Sequence, residues 1–234
     1  VHIVHGDAEN DAFNRLVLTA GLAWRDVALL RAYARYLKQI RLGFDLGYIA
    51  NTLLNHPDIA RELVRLFKTR FYLARKLNAD DLHDKQHKLE QAILGALDIV
   101  AVLNEDRILR RYLDLIKATL RTNFYQPDAS GENKGYFSFK FDPSAITDLP
   151  RPVPKFEIFV YSPRVEGVHL RFGNVARGGL RWSDREEDFR TEVLGLVKAQ
   201  QVKNAVIVPV GAKGGFVPRR LPVGGGRDEI QAEA

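Results

Sequence analysis

The stretch spanning residues 174–216, NVARGGLRWSDREEDFRTEVLGLVKAQQVKNAVIVPVGAKGGF, constrains the fold more than any other part of the chain. Two glycine pairs, Gly178-Gly179 and Gly214-Gly215, enclose a charged and apolar segment followed by a short apolar run. Glycine pairs let a backbone approach a ligand closely. Arg177 stands directly before the first pair and Lys213 directly before the second, an arrangement that suits an anionic small molecule. Either pair taken alone reads equally well as a surface turn beside a solvated charge, because single short motifs are weak. Their recurrence around one strand pattern favours the binding reading.

Within this stretch Ser183 or Asp184 is positioned to cap a helix running to about Gln201. Glu186, Glu187 and Asp188 would fill its first turn and Lys198 and Lys203 its end, the polarity that complements a helix dipole. Phe189, Val193, Leu196 and Val197 provide its buried stripe. Residues 204–210, NAVIVPV, read as a covered strand, and residues 211–215 as a loop at its carboxyl end, where ligands of α/β sheets commonly sit. A phosphate-binding P-loop does not fit. Its lysine follows a glycine and precedes Ser or Thr, whereas Lys213 follows Ala212 and precedes Gly214.

The first half has helical period. Val27, Leu30, Ala34 and Leu37 recur at spacings of three and four, with Arg31, Arg35 and Lys38 assigned to the wet side, and Gly43 is placed to end the helix. A short helix over residues 46–54 precedes one that begins at Pro57, where a missing N–H does no harm. Asp80 or Asp81 can cap a long helix through Leu89, Ile93, Leu97 and Val100, and Asn104 a further one through Ile108, Leu109, Tyr112, Leu115, Ile116 and Leu120. His83 and His87 are four apart, a metal-ligand spacing, but HDKQHK is polar and offers no third ligand, so a solvated face is the better reading.

Residues 123–154 are rich in Pro, Gly, Asp and Ser and mark a connector, within which residues 136–141 alternate as a half-buried strand does. FEIFVYS and VEGVHLRFG then begin a sheet. The expected class is α+β to α/β, a helical half followed by the beginning of a mixed sheet with a covering helix. The expected divisions are a helical region over residues 1–125, a connector over 126–154 and a truncated substrate-binding unit over 155–234.

The 35 basic and 29 acidic side chains are interleaved, a mild excess that does not form the basic stripe of a nucleic-acid binder. No apolar run approaches the roughly 20 residues that span a bilayer, and no cysteine is present. Neither nucleic acid nor membrane is therefore expected as a partner, and the cytoplasm is the expected location. The chain starts at Val1 and contains no methionine, which points to a segment of something longer.

R-G-G-L-R-W, a helix, K-N-A-V-I-V-P and then G-A-K-G-G-F together are similar to the substrate-domain signature of glutamate dehydrogenases. The FRTEVLGLVKAQQVKNAVIVPVGAKGGF wording resembles the large NAD-specific bacterial type most specifically over residues 165–217, and AWRDVALLRAYARYLKQ resembles the region that precedes its catalytic domain. The resemblance implies oxidative deamination of L-glutamate to 2-oxoglutarate with NAD, in a homo-oligomer. Lys213 then matches the catalytic lysine and Lys203 the lysine that binds the substrate α-carboxylate. Arg177 stands where smaller relatives carry a lysine near the distal carboxylate, and Gly178 and Gly179 belong to the same substrate-binding turn. The segment from Lys203 to Lys213 is two residues shorter than in the small enzymes, so its loop path cannot be copied from them.

Hydride transfer needs a dinucleotide site, and no G-x-G-x-x-G occurs. NAD is therefore expected to bind outside this chain, the aspartate that shares proton transfer is expected beyond it, and the chain alone is expected to be inactive. The competing reading is a non-catalytic helical interaction or regulatory module with a small sheet, in which the glycine pairs are only turns.

Overall fold

The computed structural model describes residues 5–6, 8–72, 78–174, 178–203, 211–221, 228–229 and 232, with side chains to residue 199 in the last helix. A helical layer comes first: α1 (Leu16–Thr19), α2 (Trp24–Gln39), α3 (Leu46–Asn55), α4 (Pro57–Phe71), α5 (Ala79–Leu97) and α6 (Leu103–Ala118). A sheet follows, made of β1 (Thr119–Thr122), β2 (Phe137–Phe141), β3 (Phe156–Tyr161), β4 (Val165–Arg171), β5 (Leu180–Trp182) and, after helix α7 (Phe189–Lys203), β6 (Ala212–Pro218). This is the α+β architecture expected. No described helix is long and apolar enough to cross a membrane.

The helix boundaries follow local chemistry, with two corrections. Asp45 accepts from the Tyr48 N–H at 2.9 Å and caps α3, and Pro57 opens α4. The cap of α5 is Asn78, which accepts from the Asp81 N–H at 2.7 Å, so Asp80 and Asp81 sit in the first turn. Helix α6 starts at Leu103 after Val102, with no side-chain cap, and Asn104 lies inside it; it ends at Ala118, so Leu120 falls in β1, and Val100 falls beyond α5. His83 and His87 both lie on the exposed face of α5.

Helix α2 is the central element and is buried nearly all round, which overturns the wet side assigned to it. Arg31 is fully buried, its Nε 2.7 Å from Asp11 Oδ2 and its Nη2 2.8 Å from both Asp11 Oδ1 and Asn14 Oδ1. Arg35 reaches Glu9 at 2.6 Å and Glu166 of β4 at 3.5 Å. The N-terminal segment lies over α2 and supplies Glu9 and Asp11, and β4 supplies Glu166, so the arginines are paired instead of solvated.

The sheet order is β1-β2-β3-β4-β6-β5, antiparallel throughout except for the parallel β5–β6 pair, which α7 connects. Residues opposite each other in an antiparallel pair share a face. Phe137, Phe139 and Phe141 of β2, Phe159 and Tyr161 of β3, and Val168 and Leu170 of β4 form the inner face. Tyr36 of α2 stacks on Phe141 with centroids 4.5 Å apart, and Tyr33 meets Phe139 at 4.9 Å. Helices and sheet thus share one hydrophobic core, which fixes the sheet against α2 and carries α7 at its far end.

Candidate functional site

The two glycine pairs, distant in sequence, touch in the fold. The Gly214 N–H donates to the Gly179 carbonyl at 3.2 Å, and Leu180 pairs with Gly214 in parallel register. A Cβ on Gly178 would stand 1.6 Å from the Ala212 carbonyl oxygen, so backbone packs directly on backbone there. A Cβ on Gly214 would meet Leu180 Cδ2 at 2.3 Å, and one on Gly215 would meet Val193 Cγ2 of α7 at 2.5 Å. Gly179 alone among the four has open space around it. Three of the glycines therefore have a packing reason that sequence reasoning did not supply: they allow β5, β6 and α7 to close on one another.

Lys213 is not in a loop. It is the second residue of β6, opposite Leu170 of β4, half-buried on the face that α7 covers. The expected loop over residues 211–215 is replaced by a strand because Gly214 and Gly215 present no side chains to their close neighbours. Lys213 forms no ion pair among the described residues. Flanked by Ala212 and Gly214, it shares one end of the sheet with Gly178 and Gly179. Lys203 closes α7, with its side chain outside the described portion. Arg177 and the strand expected over residues 204–210 also lie outside the described residues.

Helix α7 is held by contacts that were not anticipated. It begins at Phe189, so Glu186, Glu187 and Asp188 precede it instead of filling its first turn. Glu187 pairs with Lys38, and Asp188 lies 3.9 Å from Arg41, both cations at the end of α2. Gln39 of α2 donates to the Glu186 carbonyl at 2.9 Å and accepts from the Arg190 N–H at 3.1 Å. Arg190 Nε and Nη2 each donate to a Glu157 carboxylate oxygen at 2.7 Å, and both side chains are completely buried. Burial opposes the charge on Arg190, but Glu157 beside it dominates and raises the guanidinium pKa. The one sequence signal was a glutamate inside the otherwise apolar strand FEIFVY. Ser183 donates to Glu192 at 2.5 Å and accepts from the Arg185 N–H at 3.1 Å, which fixes the turn between β5 and α7.

That turn also tests the fit of a dinucleotide. A cradle for pyrophosphate needs glycines after a strand and amides at a helix start. The turn here is Ser183-Asp184-Arg185-Glu186-Glu187-Asp188, with four carboxylates and no glycine. The β5–α7 unit does not fit the cofactor. Among the described residues no three His, Asp or Glu side chains gather as metal ligands.

A helical layer, a mixed sheet and a lysine strand joined to a Gly-Gly turn together define an α+β segment, and comparison with known proteins supplies the family. Residues 92–234 match the family described as bacterial NAD-glutamate dehydrogenase, catalytic domain, and residues 8–73 match glutamate dehydrogenase, helical motif 3. The chain belongs to the bacterial NAD-glutamate dehydrogenase family. It is 88% identical over its whole length to the NAD-specific glutamate dehydrogenase of Pseudomonas aeruginosa, spanning 14% of that protein. Identity to the protein of the same name from Halomonas elongata is 63%, over 97% of this chain and 14% of the relative. For the Mycobacterium tuberculosis protein it is 52%, over 99% and 14%.

Proposed function

We propose that this chain contributes the glutamate-binding side of an NAD-dependent glutamate dehydrogenase, which converts L-glutamate, NAD and water to 2-oxoglutarate, ammonium and NADH. The observation that carries the reading is the contact of the two glycine pairs beside Lys213. A substrate with two carboxylates needs separate cations for each, and a basic group near the α-carbon needs to exchange a proton. In this reading Lys213 handles the proton at the substrate's α-carbon substituent. Lys203 clamps the α-carboxylate. Arg177, with Gly178 and Gly179, meets the distal carboxylate. NAD supplies the hydride acceptor and is bound by residues outside this chain.

The same reading divides the chain into a helical region (1–125), a connector (126–154) and the substrate-side portion (155–234), within a cytoplasmic homo-oligomer. The test is calorimetric titration of the folded chain with L-glutamate and with 2-oxoglutarate. Weak saturable binding that disappears in Lys203→Ala is expected. A folded chain that binds neither compound overturns the proposal, and glutamate-dependent NADH formation by the chain alone overturns the assignment of NAD to residues elsewhere.

A further inference from the structure

The outer face of the sheet, opposite the face that carries Lys213, holds a second concentration of cations. Arg121 of β1 lies opposite Lys140 of β2, Lys140 opposite Ile158 of β3, and Arg171 of β4 opposite Phe156 of β3. Phe156 and Ile158 are two residues apart, so the register sends all three cations to one face, the face without α2 and α7. With Arg70 at the end of α4 they line a cavity of 880 Å³. No Asp or Glu contributes to its wall.

Most buried or half-buried arginines elsewhere in the molecule have a carboxylate partner: Arg31 has Asp11, Arg35 has Glu9, Arg190 has Glu157 and Arg219 has Glu166. Among the described residues none of these four cations has one. Arg70 and Arg171 donate through Nη2 only to backbone carbonyls, of Lys117 and Thr119 and of Asn174, and their Nε atoms, like single donors of Arg31, Arg35 and Arg190, are buried with no hydrogen-bond partner among the described residues. Burial, and then the charges of Arg121 and Arg171, push the Lys140 ammonium below the ordinary lysine range. Like charges drawn together with unsatisfied donors are what a missing anion would relieve.

We propose that this cavity binds a small molecule bearing a chain of phosphates, on the sheet face opposite Lys213 and independent of the glutamate reading. The cations stand on β1, β2 and β4, across three strand spacings of about 4.8 Å each. A single carboxylate or phosphate group reaches one or two of them, whereas successive phosphates reach all. Guanidinium groups favour phosphate through paired N–H donors. Thr122, Asn123 and Ser138 on the wall offer further polar contacts, and Phe71 and Tyr125 add aromatic surface to it.

The probe is inorganic tripolyphosphate, titrated into the folded chain by calorimetry, with inorganic phosphate and ATP in parallel. Saturable one-to-one binding is expected, tighter for tripolyphosphate than for phosphate and weakening as salt is raised. Lys140→Gln and Arg121→Gln should each weaken it about tenfold, the loss of one charge-assisted contact. Their thermal midpoints without ligand should stay level or rise, because each removes a like-charge repulsion. ATP binding more tightly than tripolyphosphate assigns the site to a nucleotide, and equal affinity assigns it to the phosphate chain alone. Absence of saturable binding by the folded protein, equal affinity for phosphate and tripolyphosphate, or binding unchanged in both variants overturns the proposal.

Discussion

Gly214 donates its backbone N–H to the carbonyl of Gly179 at 3.2 Å, and this bond joins two glycine pairs that the sequence keeps far apart. It makes β5 and β6 parallel neighbours, with α7 as their crossover on the inner face. Lys213, one residue earlier on β6, is held by a strand instead of a loop, which restricts its movement as a proposed reacting group requires.

The two glycines of the first pair should respond differently to the same change. Gly178→Ala puts a methyl 1.6 Å from a carbonyl oxygen, and backbone must shift to receive it. A loss of about 3 kcal/mol or more is expected. Gly179→Ala meets nothing within 4 Å and should stay within about 0.5 kcal/mol of the parent. Urea denaturation midpoints measure both, and equal effects would contradict the packing described.

The Arg190–Glu157 pair should behave as a buried ion pair. Glu157→Gln leaves a fully buried guanidinium without its counter-charge and should cost about 3–5 kcal/mol. The double variant Arg190→Met, Glu157→Leu should recover most of that loss, since two apolar groups need no partners. Its stability decides the matter: a double variant no better than Glu157→Gln would show that the pair's geometry, and not its charge, holds α7.

Acid should destabilise the fold partly through His169. Burial, and then the neighbouring Arg171, hold its imidazole below the ordinary value of 6.5. The unfolded chain therefore takes up the proton first. The histidine's contribution is complete above about 6.5 and is lost as pH falls from there through the folded value. Comparing urea midpoints at about pH 7.5 and pH 5.5, the window set by that ordinary value, His169→Gln should show a smaller drop than the parent. An identical drop would remove His169 from the account.

In a complete enzyme carrying this sequence, the two lysines should separate kinetically. Lys213→Ala is expected to lower kcat by about 10²–10⁴-fold and to alter the pH–rate profile, as loss of a general acid–base does. Lys203→Ala should act mainly on KM. Near-normal turnover of Lys213→Ala with an unchanged pH profile would exclude it from proton transfer.

Much of the architecture was legible because it is written in short-range pattern. The apolar spacing of α2 to α6, Pro57 at a helix start and the alternation in β2, β3 and β4 each depend on residues within a turn or two of one another. The errors share one cause. Arg31 looked solvated because its partner Asp11 lies twenty residues away, and the Gly211–Gly215 segment looked like a loop because glycine's strand role depends on Val193 and Leu180. Glutamate dehydrogenase wording marked Lys213 and Lys203 as candidates, whereas the cations Arg121, Lys140 and Arg171 carry no motif and meet only through sheet register.

By itself the sequence determined most of the helices and strands β2 to β4, the family wording and the lysines proposed for the chemistry. These are properties of neighbouring residues, set by periodicity, capping and local composition. Tertiary structure alone decided that the glycine pairs touch, that Glu157 neutralises Arg190, and that cations with no carboxylate partner among the described residues gather on the outer face. Each of those facts is a distance between residues remote in the chain, and only the closing of the sheet against α2 and α7 brings them within reach.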